Sequence, residues 1–276
     1  MDSPVFLRNR TTLKKLPIIA PSTNTSTKII YLNHTNTATP LIEVRLPSYN
    51  NNQMQRIKPA INSIYHVFNR GVEKRDVFLD DRDRQRFVFS LFAFNDISPV
   101  LNHNRLIEVG LPSFDDREKM VEIWAFALMP NHFHLMLKQL TENGITEFMR
   151  KIGTGYTNYF NLKYQRAGHL FQGKYKFSLI SEMRHYTYLP FYIHMNPLSL
   201  TKNAKEIPVN PKKAIQRLEQ YKWSSHLDYI GKPNFPSVID QTELNSLFGG
   251  PSQYKNDFAE WIKNKGFKDV DDIAID

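Results

Sequence analysis

From residue 61 onward, apolar and polar positions recur with recognisable periods, and before it they do not. SIYHVFNRG (63–71) alternates as a strand does, with Ile64, His66 and Phe68 on one face and Tyr65, Val67 and Asn69 on the other. LDDRDRQRFVFSLFAFN (79–95) places Phe87, Val88, Leu91, Phe92 and Phe94 at helical spacing behind Asp80 and Asp81, both good N-cap residues. Residues 96–118 are rich in loop formers. VEIWAFALMPNHFHLMLKQ (121–139) gives two apolar runs broken at Met129-Pro130-Asn131, predicting two strands around a tight turn. Residues 141–168 read as a helix despite Gly153 and Gly155, residues 169–180 as a strand, and residues 181–197 as a second helical stretch. Pro190 lies within that last stretch, and its ring clashes with the carbonyl of Tyr186 in a regular helix, so a kink or restart is expected there. Pro197 makes Asn196 the expected last helical residue.

Strand, helix, strand, strand, helix, strand is the order of a ferredoxin-like α+β sandwich, here with one added helix. The segments beyond 207, KKAIQRLEQYKWSSHLDYIG and QYKNDFAEWIKNKG, read as further helices. Three parts are therefore expected: a low-complexity, disordered extension over 1–58, a core over 59–206, and a C-terminal helical appendage over 207–276. The extension is rich in Thr, Asn, Ser and Pro. Two short patches in it, 28–32 and 41–46, have strand character, and Met54 is a candidate translation start just ahead of the periodic region.

Composition narrows the chemistry. There is no cysteine, which removes disulfides, thiolate zinc sites and cysteine nucleophiles and fits a reducing cytoplasm. Any metal must be held by His, carboxylate or amide. No run approaches ~18 consecutive apolar residues, so no membrane span is expected. A net charge of +9 makes polyanions the natural partner class. Its placement qualifies this: residues 1–60 carry eight basic and two acidic side chains, so most of the excess belongs to the extension. Within the core the signal is local. Between Phe148 and Ile180 stand Arg150, Lys151, Lys163, Arg166, Lys174 and Lys176 with no acidic residue, interleaved with aromatics including Tyr156 and Tyr159. Cations for phosphates and rings for unpaired bases are the composition of a single-strand or hairpin binder, although about half of these rings are expected in the core.

Two short motifs carry candidate chemistry. In NHFHLML the strand alternation puts His132 and His134 on one side and Phe133 on the other, which is half of a metal site or simply a polar face. In FYIHMNP, Tyr192 and Asn196 are four apart and share a helical face, so a phenol and an amide point the same way. His194, two positions from Tyr192, points elsewhere and reads as a DNA contact or surface residue. His66 faces the same region from the first strand and reads as core or outer packing.

Taken in order, MPNHFHLMLK, YTNYFNLKYQRAGHLFQGKYK, YIHMNP and KWSSHLDYIG resemble the REP-associated tyrosine transposases, a branch of the HUH single-strand DNA transposase superfamily. The resemblance spans about 60–232. It implies a ferredoxin-like nuclease core with an antiparallel sheet, a His-hydrophobic-His pair on a central strand, and a catalytic tyrosine on a helix facing it. By position, His132 and His134 match the metal pair, Tyr192 the nucleophile, and Asn196 the place of a third polar ligand. A divalent ion, Mg²⁺ or Mn²⁺, is the implied cofactor, since a phenol with pKa ~10 is a poor nucleophile without a nearby cation. Single-stranded DNA with hairpin structure is the implied partner, and a homodimer is compatible with the pattern. Trp223 of KWSS resembles a family motif and reads as packing. Two other readings stand beside this one: a hairpin-binding protein that does not cut, and a metal-dependent phosphodiesterase that uses water and can dispense with Tyr192.

Overall fold

In the computed structural model, residues 58–99, 117–181, 183–200 and 210–265 are described. The expectations for 1–57, for most of the 96–118 loop, and for the last residues of the tail lie outside them. The core elements follow the predicted order: β1 Ile64–Arg70, α1 Asp81–Ala93, β2 Val121–Met129, β3 His132–Gln139, α2 Gly144–Lys163, β4 Lys176–Ile180 and α3 Met183–Met195. The four strands form one sheet in the order β2-β3-β1-β4, every neighbouring pair antiparallel. This is the ferredoxin-like α+β arrangement expected.

Strand alternation divides the sheet into two unlike faces. On one, Phe133 of β3 meets Phe87 of α1 at 4.9 Å between ring centroids, and Phe87 meets Tyr156 of α2 at 5.0 Å. This is the apolar layer of the sandwich, with α1 packed on α2. On the other face lie His66 and Phe68 of β1 and His134 of β3, covered by α3. The added helix thus occupies the face that the first two leave open, and carries Tyr192 with it.

Helix α1 begins where its caps predict. Asp80 accepts from the backbone N–H of Asp83 at 2.9 Å, and the Asp83 carboxylate accepts from the N–H of Asp80 at 3.3 Å, a reciprocal capping box. Helix α2 is shorter than its pattern, ending at Lys163 because Gln165 turns left-handed (φ 51°) and Arg166 N–H reaches back to the Asn161 carbonyl. Strand β4 is also shorter than expected: residues 169–175 form only a bridge from Phe171 to Gly71 before pairing resumes at Lys176. Helix α3 is continuous through Pro190, not restarted there. Leu189, Phe191 and Ile193 are buried on either side of the proline, so tertiary packing overrides the local penalty.

The two glycines inside α2 have opposite surroundings. A Cβ on Gly155 would stand 2.4 Å from Phe94 Cε2, whereas one on Gly153 meets nothing within 4 Å. Gly155→Ala is expected to destabilise by about 1–3 kcal/mol through overpacking, and Gly153→Ala to stabilise by roughly 0.5–1 kcal/mol through helix propensity. Chemical denaturation of the two variants should move the midpoint in opposite directions.

The C-terminal residues are built onto the edge strand. Leu128 N–H donates to the Trp223 carbonyl at 2.9 Å, Phe126 N–H to Ser225 Oγ at 2.9 Å, and the Tyr229 hydroxyl to the Trp124 carbonyl at 2.6 Å. Trp223 is buried, stacks on Phe235 and donates to Asp81. Ahead of it in the chain comes α4 Pro211–Leu218, and beyond it the single turn α5 His226–Tyr229, α6 Thr242–Phe248 and α7 Pro251–Lys265. The edge of β2 is thereby satisfied instead of being left as a template for another chain. Among the described residues no helix is long and apolar enough to cross a membrane.

Candidate active site

Pairing register sets the histidines in place. His132 stands opposite Arg70 and His134 opposite Phe68, all four directed to the α3 face. His134 is buried and His132 half-buried. Their rings lie 5.0 Å apart and perpendicular. The His132 Nδ1 is 2.6 Å from Asn131 Oδ1, whose amide nitrogen is itself occupied by the Lys74 carbonyl. An amide oxygen only accepts, so the proton sits on His132 Nδ1 and its Nε2 carries a lone pair. Asn131, from the turn between β2 and β3, therefore turns His132 into a potential ligand.

His134 has a different partner. Its Nδ1 lies 2.9 Å from His66 Nε2, with the rings stacked at 5.1 Å. His134 Nε2 is buried with no hydrogen-bond partner, and so is His66 Nδ1. Burial holds His66 at about 3 and His134 well below the ordinary imidazole value, the latter helped by the neighbouring His66, His132 and Arg70 charges. Both are neutral at neutral pH, which is the form that ligates metals.

Tyr192 closes the site from α3. Its ring lies 5.5 Å from that of His134 and 5.9 Å from that of His66, nearly perpendicular to both. Tyr192 and Asn196 share a face as expected, but Asn196 does more than follow it: its amide nitrogen donates to the Tyr192 carbonyl at 2.9 Å, which leaves Oδ1 as its ligand-competent atom. Asn196 is not the last residue of α3, which ends at Met195; it opens a 3-10 turn, Asn196–Leu200. No group of three or more His, Cys, Asp or Glu side chains is disposed as a metal cage among the described residues. A divalent ion at this face would have to take its remaining ligands from amide, water or phosphate. The buried, unpartnered Nε2 of His134, beside a His132 ring whose unprotonated nitrogen is Nε2, fits such an ion.

His194 corrects the expectation of a surface or DNA contact. It is fully buried, with Nδ1 2.6 Å from the Tyr254 hydroxyl and Nε2 2.6 Å from Ser225 Oγ. Its helix face is covered by α7 and by the turn docked on β2, contacts between segments 31 and 60 residues apart that no local pattern shows. His194 thus pins the helix bearing Tyr192 to the C-terminal layer. His226 packs beside it, with ring centroids 5.7 Å apart and both nitrogens unpartnered. Burial lowers His226 from 6.5 to about 4. Below pH 6.5 the unfolded chain accepts a proton that the folded one refuses, so stability falls with acid across the window from 6.5 to about 4, by up to roughly 1.4 kcal/mol per pH unit from this group. His226→Phe is expected to flatten that dependence in thermal unfolding followed from pH 7 to 4.5.

The basic run divides on inspection. Tyr156 is a core residue, fully buried with its hydroxyl on the Val77 carbonyl, and cannot touch DNA. Lys163 binds the Asp80 and Asp83 carboxylates at 2.8 and 2.7 Å. Partial burial opposes its charge, but those carboxylates outweigh it and hold the ammonium above its ordinary value. Tyr159 donates to the same Asp83, and Lys151 donates to the carbonyls of Asp96 and Ser98. These four serve the fold. Helix α2 lies across the sheet from Tyr192; Lys163 ties it to the start of α1, and Lys151 reaches the carbonyls that follow α1. Arg150 pairs with Glu147 on the exposed side of α2, and Arg166 reaches Asn161 and lies over Phe160. Lys174 is exposed beside β4. Lys176 is in register with Phe68, on the Tyr192 side, and lies 5.7 Å over its ring. Arg70, which the sequence did not single out, joins it there opposite His132.

A ferredoxin-like sheet with paired histidines on a central strand and a tyrosine helix across that face is the arrangement that the motif resemblance implies. Over residues 114–196 the chain matches the family model described as IS200-like transposase, a stretch that contains His132, His134, Tyr192 and Asn196. This bears out the transposase resemblance drawn from the motifs. A solved structure of a REP-associated tyrosine transposase bound to a REP hairpin aligns at 13% identity over 69% of this chain and 93% of that one, with a TM-score of 0.42. No curated protein matches the chain.

Proposed function

We propose that this protein is a metal-dependent single-strand DNA transposase or nickase that cleaves and rejoins DNA at hairpin elements through Tyr192. The observation that carries the reading is the meeting of three groups on one sheet face: the Tyr192 ring 5.5 Å from His134, the unpartnered buried Nε2 of His134, and His132 with its proton fixed on Nδ1. The family match over 114–196 supports the same reading. The hairpin substrate comes from the motif resemblance.

In this reading the Tyr192 hydroxyl attacks the scissile phosphorus. The phosphotyrosyl bond forms as the bond to the 3′ oxygen breaks, giving a 5′-phosphotyrosine and a free 3′-hydroxyl that can reverse the step. The phosphodiester is conserved rather than lost to water, which is what strand transfer requires. His132 and His134, with Asn196 Oδ1, would hold Mg²⁺ or Mn²⁺, and such an ion supplies Lewis-acid charge at the phosphate and favours the phenolate. His194 and the Asn196 amide fix the helix that presents Tyr192. Arg70 and Lys176 supply positive charge on the face where the phosphate lies.

End-labelled hairpin DNA incubated with the protein and Mn²⁺, then run on a denaturing gel, tests this. A covalent protein–DNA band is the expected result. Free fragments without an adduct would instead mark a water-using phosphodiesterase, and a bound but intact strand a binding protein that does not cut.

A further inference from the structure

The hydrogen bond between the two buried imidazoles leaves a choice of proton position that decides whether His134 can act as a ligand. Only one proton lies between His66 Nε2 and His134 Nδ1, which are 2.9 Å apart. If His66 donates, the single N–H of the neutral His134 ring is on Nε2, which then has no lone pair to give. If His134 donates, its Nε2 is a lone pair aimed into the site, and the remaining proton moves to His66 Nδ1. We infer that His66 is the positioning residue of the metal centre: its Nε2 accepts from His134 Nδ1–H and so holds His134 in the tautomer whose Nε2 can ligate a divalent cation.

This rests on the reading of His132 and His134 as a metal pair, and adds to it a residue outside the stretch matched by the family model. Three observations converge. Nothing else bonds to either outer nitrogen, His134 Nε2 or His66 Nδ1. The near-parallel rings, 5.1 Å apart between centroids and within 20°, fix the plane of His134. The same His66 ring abuts Tyr192 at 5.9 Å, so one side chain borders both ligand and nucleophile. The arrangement also parallels the other half of the pair, where Asn131 sets the tautomer of His132 from outside. Ligating histidines ordinarily give their second N–H to a carboxylate, carbonyl or water, and loss of that acceptor weakens metal binding roughly 10–100-fold.

The test is Mn²⁺ binding by the full chain, with free Mn²⁺ read by electron paramagnetic resonance and folding checked by thermal unfolding. His66→Phe fills the space but cannot accept; His66→Gln places an amide oxygen near the position of Nε2. The expected result is a Kd about 10–100-fold weaker for His66→Phe, and recovery of most of that loss in His66→Gln. Wild-type affinity in His66→Phe, or equal loss in both folded variants, would overturn the inference. His134→Ala separates the two levels: if it too binds Mn²⁺ as the wild type does, the metal reading itself fails, whereas a weakened His134→Ala beside an unaffected His66→Phe sinks only the role of His66. Nitrogen-15 NMR of the Mg²⁺-loaded wild type gives an answer independent of any variant. A proton on His134 Nδ1 and none on His66 Nε2 supports the assignment, and the reverse refutes it.

Discussion

Tyr192→Phe is expected to eliminate the covalent protein–DNA adduct while leaving the protein folded and able to bind the strand. The substitution removes one oxygen from a residue that is only 7% exposed and keeps the ring that packs against His66 and His134. What disappears is the atom that bonds to phosphorus, and the hydroxyls of Tyr156, Tyr159 and Tyr164, on the far side of the sheet, point to Val77 or Asp83. The adduct should therefore fall below detection on a denaturing gel, with hairpin affinity unchanged within about twofold and the melting temperature within a few degrees. Persistence of the adduct would refute the assignment of the nucleophile. Loss of the adduct with continued release of fragments would show that water attacks and that the tyrosine is dispensable.

Asp83→Ala should produce the largest loss of stability. The Asp83 carboxylate is fully buried, yet accepts from the N–H groups of Leu79 and Asp80, from the hydroxyls of Tyr159 and Tyr164, and from Lys163 at 2.7 Å. Removing it orphans those donors and leaves the Lys163 ammonium with only the Asp80 carboxylate in a partly dry site, at about 3–5 kcal/mol. For a folded region of this size that is roughly a 10 °C fall in melting temperature, measurable by calorimetry. Lys163→Ala should likewise be felt in stability more than in DNA affinity. A Lys163→Ala protein with native stability and a tenfold loss of hairpin binding would return that residue to the nucleic-acid surface.

Asp83 also shows where reading the chain stops. Element order, the capping box at Asp80, the common face of His132 and His134, and the Tyr192–Asn196 pair all follow from spacings of two to four residues, and all are present in the fold. What spacing does not carry is which element lies behind which. The cations of α2 were counted as one surface because they are close in sequence, but Lys163 finds acceptors 80 and 83 residues away. His194 was assigned outward because the helix was treated without its cover, whereas Tyr254, 60 residues on, lies against it. His66 was visible as a residue on the correct face of the first strand. Its bond to His134 depends on the β1–β3 register, which alternation alone does not fix. In each case the missing information is a long-range pairing, and it is concentrated around the site because the site is where separate segments converge.

Both halves of the candidate centre, the sheet histidines and the tyrosine helix, come from one continuous polypeptide and meet within it. On the proposed reading, one copy of the chain carries every protein group assigned to the reaction. Mixing a chain that lacks His134 with one that lacks Tyr192 is therefore expected to leave adduct formation unrestored.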